Sequence, residues 1–249
     1  MVSRRVFGEE LKLLNEEVCK MADLAEAAVK KGVVAFIDGD AEIMREVKQI
    51  DSQIFSYDQI IEKHCIDLIA LQTPVAGDLR TVSACLKIIT DINRIGRYGR
   101  DIAELGESIP REKQFKQMAS IPVMADLVIQ MVTDSINSFI KRNPDEAGSL
   151  FQRDDEIDGL WDSIFRESLT YMMEDPKNIS AGTYYILVAR YLERIADHAC
   201  NIGEKVVFMV TGVRMDPEER KKPQVSEHSS EEVEPRFEEG YFHTDLSEK

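Results

Sequence analysis

The sequence predicts an all-α protein, with six helices forming two repeated antiparallel three-helix bundles side by side and an acidic disordered C-terminal tail. Three observations predict it. Apolar residues recur at three- and four-residue intervals across residues 7–213, prolines and one turn break that pattern into six pieces, and the pieces recur in threes. Aromatic residues are sparse and strand signals are absent, which argues against a β sandwich.

The first segment, 7–37, sets Leu24, Ala28, Val29 and Val33 along one stripe and ends at the Asp38-Gly39-Asp40 turn. The second, 40–73, stops at Pro74, because proline lacks the N–H that a helix interior needs. The third, 77–107, ends ahead of Pro110. The fourth, 117–142, includes Pro122 near its start and stops before Pro144. The fifth, 145–174, ends at Pro176. The sixth, 179–213, carries Ile186, Leu187, Val188, Leu192 and Ile195 and ends before Pro217.

The segments repeat at an offset near one hundred residues. Asn93-Arg94-Ile95-Gly96-Arg97 corresponds to Glu193-Arg194-Ile195-Ala196-Asp197, and Ile102, Ala103 and Glu104 to Ile202, Gly203 and Glu204. Met21-Ala22-Asp23-Leu24 reappears as Met124-Ala125-Asp126-Leu127, and Asp51, Ile54 and Ile61 as Asp154, Ile157 and Ile164. So long a period reads as a duplicated domain and not as a solenoid. The expected division is residues 1–109, 110–214 and a tail from 215 to 249.

Hydrophobic residues make up 43% and charged residues 31%, as in helix-rich globular proteins. A net charge of −15 argues against broad affinity for nucleic acid or anionic lipid. The tail carries about six of those charges, with Val233, Phe237, Tyr241 and Phe242 interspersed among its glutamates. Cys19, Cys65, Cys85 and Cys200 form no C-x-x-C pair and read as buried, reduced thiols. Met1-Val2-Ser3-Arg4-Arg5 leads into an acidic amphipathic stretch with no signal-peptide core, and Val206–Val213, the most apolar run, is too short to span a bilayer. The expectation is a cytoplasmic protein without membrane insertion.

Two stretches carry a family likeness. Gly77-Asp78-Leu79-Arg80, then Ser83-Ala84-Cys85-Leu86-Lys87-Ile88 and Asp91-Ile92-Asn93-Arg94-Ile95-Gly96, resembles the third-helix signature of PhoU phosphate-uptake regulators. Tyr191-Leu192-Glu193-Arg194-Ile195-Ala196-Asp197-His198-Ala199-Cys200-Asn201-Ile202 is closer still to that signature. The resemblance covers residues 7–213 and implies two PhoU domains in a homodimer or larger oligomer. It further implies an E(D)-x-x-x-D motif associated with bound metal.

Glu193 and Asp197, four apart, share a helix face that Asn201 extends, and Asp154 with Asp158 repeats the spacing one helix earlier. By spacing alone these are a solvated acidic face with Arg190 and Arg194 as salt-bridge partners. By resemblance they are ligands of a metal ion or cluster, Fe, Zn, Mn or Mg, with Glu193 and Asp197 first and Asp154 and Asp158 next. The first repeat departs from the motif: Asn93 and Arg97 replace the two carboxylates, and Phe55 stands in the place of Asp158. The expectation there is a metal-free bundle in which Asp51 and Asp101 pair with Arg97 or Arg94. His198, about 100° around the helix from Asp197, is expected at a surface or interface, and His64 packed or exposed. Gly96 and Gly99 read as close helix packing; no phosphate-cradling glycine loop is present.

The resemblance implies a non-enzymatic negative regulator at the cytoplasmic face of the phosphate ABC transporter, in many bacteria communicating with a phosphate-sensing histidine kinase. A carboxylate-bridged metal enzyme is the alternative from another class, but the chain has no Glu-x-x-His element. A metal-free helical adaptor is the third reading.

Overall fold

The structure, a computed structural model, describes residues 2–107 and 119–215, without the side chains of residues 2–4. The start of the fourth expected segment, the Pro110 break and the acidic stretch from 216 onward lie outside the described residues. The described residues are helical and contain no strand. In order they are α1 (Val2–Asp38), α2 (Ala41–Gln72), α3 (Ala76–Glu107), α4 (Ser120–Lys141), the short α5 (Pro144–Gly148), α6 (Leu150–Glu174), a 3₁₀ turn (Pro176–Asn178) and α7 (Ile179–Thr211).

The breaks follow local chemistry. Asp40 caps α2, its carboxylate accepting from the backbone N–H of Glu42 at 2.7 Å and Ile43 at 3.3 Å, while Gly39 takes a φ of 62° that its missing Cβ permits. Pro122 falls in the first turn of α4, where its absent N–H breaks no helical bond. The expected segment 145–174 is interrupted at Ser149: Asn143 caps α5, with Pro144 in its first turn, and the chain restarts as α6.

Helices α1, α2 and α3 pack into one bundle, and α4, α6 and α7 into a second. Register-equivalent positions share burial: Met21 and Met124, Ile54 and Ile157, Ile61 and Ile164, and Ile95 and Ile195 are all essentially inaccessible. In α2, buried Val47, Ile54, Ile61 and Leu68 recur every seventh residue, the seam of a left-handed helix pair. The cores of the two bundles are continuous. They meet along α3 and α7, which run antiparallel, so that Arg80 donates to the Met209 carbonyl while Asp91 meets His198 and Tyr98 meets Tyr191. Phe36 on α1 adds an edge contact to Tyr185 on α7, and Arg142 donates to the Thr81 hydroxyl at 2.9 Å.

Length and apolarity would suffice for α4 to cross a membrane. This corrects the expectation that no run approaches the length needed to span a bilayer, while Val206–Val213 stays the more apolar run, residue for residue. Half of that stretch of α4 is buried in the bundle, where Met124, Val128, Met131 and Val132 face α7 and α6.

Helices α1 and α3 approach closely. A Cβ on Gly32 would sit 2.2 Å from the Gly99 carbonyl oxygen, and one on Gly99 would sit 2.6 Å from the Ala28 carbonyl carbon. Backbone cannot yield there as a flexible side chain can. Gly159, on the exposed face of α6, has no atom within 4 Å of such a position. Gly99→Ala should therefore lower unfolding stability by about 2 kcal/mol or more, whereas Gly159→Ala should raise it by about 0.5–1 kcal/mol. Urea unfolding of the two variants beside the parent checks both signs.

Candidate functional site

Each middle helix carries a carboxylate on its core-facing side. In α2, Asp51 and Asp58 interrupt the buried series Met44, Val47, Ile54, Ile61, Cys65 and Leu68. In α6, Asp154 lies between buried Phe151 and Ile157 and is the register equivalent of Asp51. A carboxylate so placed loses hydration and needs compensating charge or hydrogen bonds.

The first repeat supplies that charge from Arg100 on α3. Its guanidinium donates to Asp51 at 2.9 Å and to Asp101 at 2.8 Å, a fork-shaped donor set between two carboxylates. The expected Arg–carboxylate network is present, but the pairing with Arg97 or Arg94 is corrected: both of those side chains point to solvent. Position 100 lies one further turn along α3, on its inner side.

In the second repeat the register equivalent of Arg100 is Cys200. Its thiol donates to Asp154 but brings no charge. Burial first, then the neighbouring carboxylates Asp197, Asp158 and Asp155, push Asp154 up to about 6. These four aspartates line one pocket of about 540 Å³ between α6 and α7, together with Asn201, Cys200 and Tyr98. Arg194 is the arginine of the lining, and it already donates to Asp197 at 3.2 Å.

The structure thus brings together Asp154, Asp158, Asp197 and Asn201 but not Glu193. Glu193 lies outside the lining and is held by Arg190, three residues before it. Asp155 was missed by sequence reasoning, as was Cys200; spacing of four residues finds Asp158 but passes over Asp155. His198 stands at the inter-repeat interface, as expected, with Nδ1 2.8 Å from Asp91 and its ring on Tyr98. It also borders the pocket. His64 is largely buried, its two ring nitrogens shared between Glu17 and Glu10 of α1. All four cysteines are free thiols; Cys65, Cys85 and Cys200 are buried and Cys19 half-buried. Burial pushes Cys65 up to about 12, which keeps it protonated and inert.

A divalent cation fits this pocket in donor chemistry and charge. The donors are oxygens that suit Mg, Mn or Fe, and their mutual repulsion is what a cation relieves. Among the described residues, however, no three His, Cys, Asp or Glu side chains converge on one point. Asp154, Asp158 and Asp197 would have to turn inward from the pocket wall.

Both domains of the chain match the PhoU domain family, over residues 18–106 and 121–206. A relative in Rhizobium meliloti named phosphate-specific transport system accessory protein PhoU homolog is 35% identical over 225 residues, spanning 88% of this chain and 93% of the relative. Its namesake in Aquifex aeolicus is 37% identical over 204 residues, 82% and 92% of the two chains. The crystal structure of PhoU from Pseudomonas aeruginosa superposes with a TM-score of 0.79 at 33% identity, over 83% of this chain and all 100% of the other. For the phosphate transport system regulatory protein PhoU from Streptococcus pneumoniae the TM-score is 0.78 at 28% identity, over 84% and 99%.

Two outcomes test the compensation scheme. Arg100→Ala should cost about 2–3 kcal/mol by stranding Asp51, and adding Asp51→Asn should recover much of the loss; denaturant unfolding measures both. In chelator-treated protein, Asp154→Asn should stabilise the fold. The Asp154 pKa is raised on folding from 3.8 to about 6, so its ionisation penalises the folded state increasingly across that interval and fully above it. The gain should be about 1 kcal/mol near neutral pH, after discounting for solvent at the pocket mouth, and should fade as pH falls toward the ordinary carboxyl value. Thermal melts across that pH range check the sign.

Proposed function

Because the chain belongs to the PhoU family, we propose that it is a non-enzymatic regulator restraining phosphate uptake by protein–protein contact at the cytoplasmic face of a phosphate ABC transporter. The observation that carries this reading is the family match across both repeats, joined to relatives named as accessory proteins of phosphate-specific transport. The proposed partners are components of that transporter, a phosphate-sensing histidine kinase and a second copy of the chain. Large apolar side chains at the turn after the middle helix of each repeat support a docking role: Leu71 and Val75 in the first, Met173 and Ile179 in the second, all more than half exposed.

Within that role the second repeat holds a divalent metal ion or cluster. Asp154 and Asp158 from α6, with Asp197 and Asn201 from α7, would bind it, and the metal supplies the positive charge that Arg100 supplies in the first repeat. Those four side chains then fix α6 against α7. Since α7 also carries His198 and Tyr191 into α3, the relative position of the two repeats depends on the same helix. Glu193, committed to Arg190, is the weaker ligand candidate of its motif.

Elemental analysis and phosphate uptake test the two layers separately. Purified protein should carry metal that Asp154→Asn/Asp158→Asn loses. Cells lacking the protein should take up phosphate without restraint and regain restraint with the wild-type chain. Restraint regained equally by the metal-free variant would remove the metal from the mechanism and keep the regulator. Failure of the wild-type chain to restore it would remove the regulator.

A further inference from the structure

The first repeat has a groove where the second has its acidic pocket. It lies between α2 and α3, encloses about 270 Å³ and is lined by Phe55, Asp58, Thr90, Asn93, Arg94 and Arg97. By the repeat register, Phe55 stands for Asp158, Asn93 for Glu193 and Arg97 for Asp197, so an acidic surface has become aromatic and basic. Arg94 and Arg97 are exposed and make no hydrogen bond or ion pair among the described residues, unlike Arg80 and Arg100 on the same helix. Three apart, they lie side by side on the helix surface. The Phe55 side chain beside them is 51% exposed. Asp58, the one carboxylate of the lining, already accepts from Asn93.

We propose that the acidic, aromatic C-terminal segment of this chain, residues 227–249, docks into this groove of its own first repeat. Charge selects the occupant: the segment has eight Asp and Glu against Arg236 and Lys249. Its aromatic residues Phe237, Tyr241 and Phe242 flank Glu238 and Glu239, matching an exposed ring set beside two free guanidinium groups. Charge also selects the repeat, since the equivalent pocket between α6 and α7 presents four aspartates and repels the same segment. The chain has the reach. It leaves α7 at Gly212, which packs against the Arg80 side chain, and Arg80 lies about 21 Å along α3 from Arg94. The residues from Asp216 to Phe237 can span up to about 70 Å. This docking stands apart from the metal reading and from the transporter role.

The test uses the full chain with p-benzoylphenylalanine in place of Phe237, irradiated in dilute solution, and locates cross-links by peptide mass spectrometry. Intrachain cross-links should fall on α2 around Phe55 or on α3 around residues 90–97. Their yield should drop about tenfold in Arg94→Glu/Arg97→Glu and in about 0.5 M salt. The melting temperature of that variant should match the parent, since neither arginine has a partner to lose, which separates lost docking from lost folding. Cross-links on α6 or α7, cross-links only between chains, a yield that survives the charge reversal, or no cross-link at all would each overturn the proposal.

Discussion

A half-buried carboxylate on the middle helix of each repeat is the constraint around which this molecule is arranged. A helix that faces its neighbours through a seven-residue seam leaves a carboxylate there only part of its hydration, so much of the charge is met from neighbouring side chains. The first repeat meets it with Arg100, between Asp51 and Asp101. The second has the neutral Cys200 at the equivalent position and gathers three further aspartates around Asp154. Duplication produced two copies of one frame, and the copies differ in how that charge is handled.

The frame itself is built to hold such a site still. Gly32 and Gly99 let α1 and α3 touch backbone to backbone, with no room for a Cβ at either position. Along α3, Asp91 and Tyr98 face His198 and Tyr191 of α7, and His198 also borders the acidic pocket. The residues that border the acidic pocket thus include two that form the seam between repeats, His198 and Tyr98.

Much of this was legible in the sequence. The echo of Met21-Ala22-Asp23-Leu24 in Met124-Ala125-Asp126-Leu127 and the isoleucines that follow fix both repeats and their register, because buried positions must recur when a fold recurs. Helical spacing puts Asp154 with Asp158, and Asp197 with Asn201, each on one helix face, and the family resemblance joins the two pairs. Glu193 does not join them: an arginine three residues away captures it, and spacing cannot rank a ligand against a neighbouring salt bridge. Arg100 was not assigned as the partner of Asp51 because the family motif directs attention to positions 93 and 97. The seven-residue recurrence of Val47, Ile54, Ile61 and Leu68 was the available signal, since it turns Asp51 inward and demands a partner from α3. The apolarity of α4 was missed for a different reason: its hydrophobic residues are spread over a long helix and form no compact run.

The central proposal is that a bound cation gives Asp154 and its neighbours in the second repeat the positive charge that Arg100 gives Asp51 in the first. The most direct measurement is the melting temperature of Cys200→Arg beside the parent, with and without added Mn²⁺ after chelator treatment. The cation should stabilise the parent, and the variant should be more stable than the metal-free parent and indifferent to the cation. A parent that ignores the cation, or a variant that responds to it as strongly as the parent does, would contradict the account.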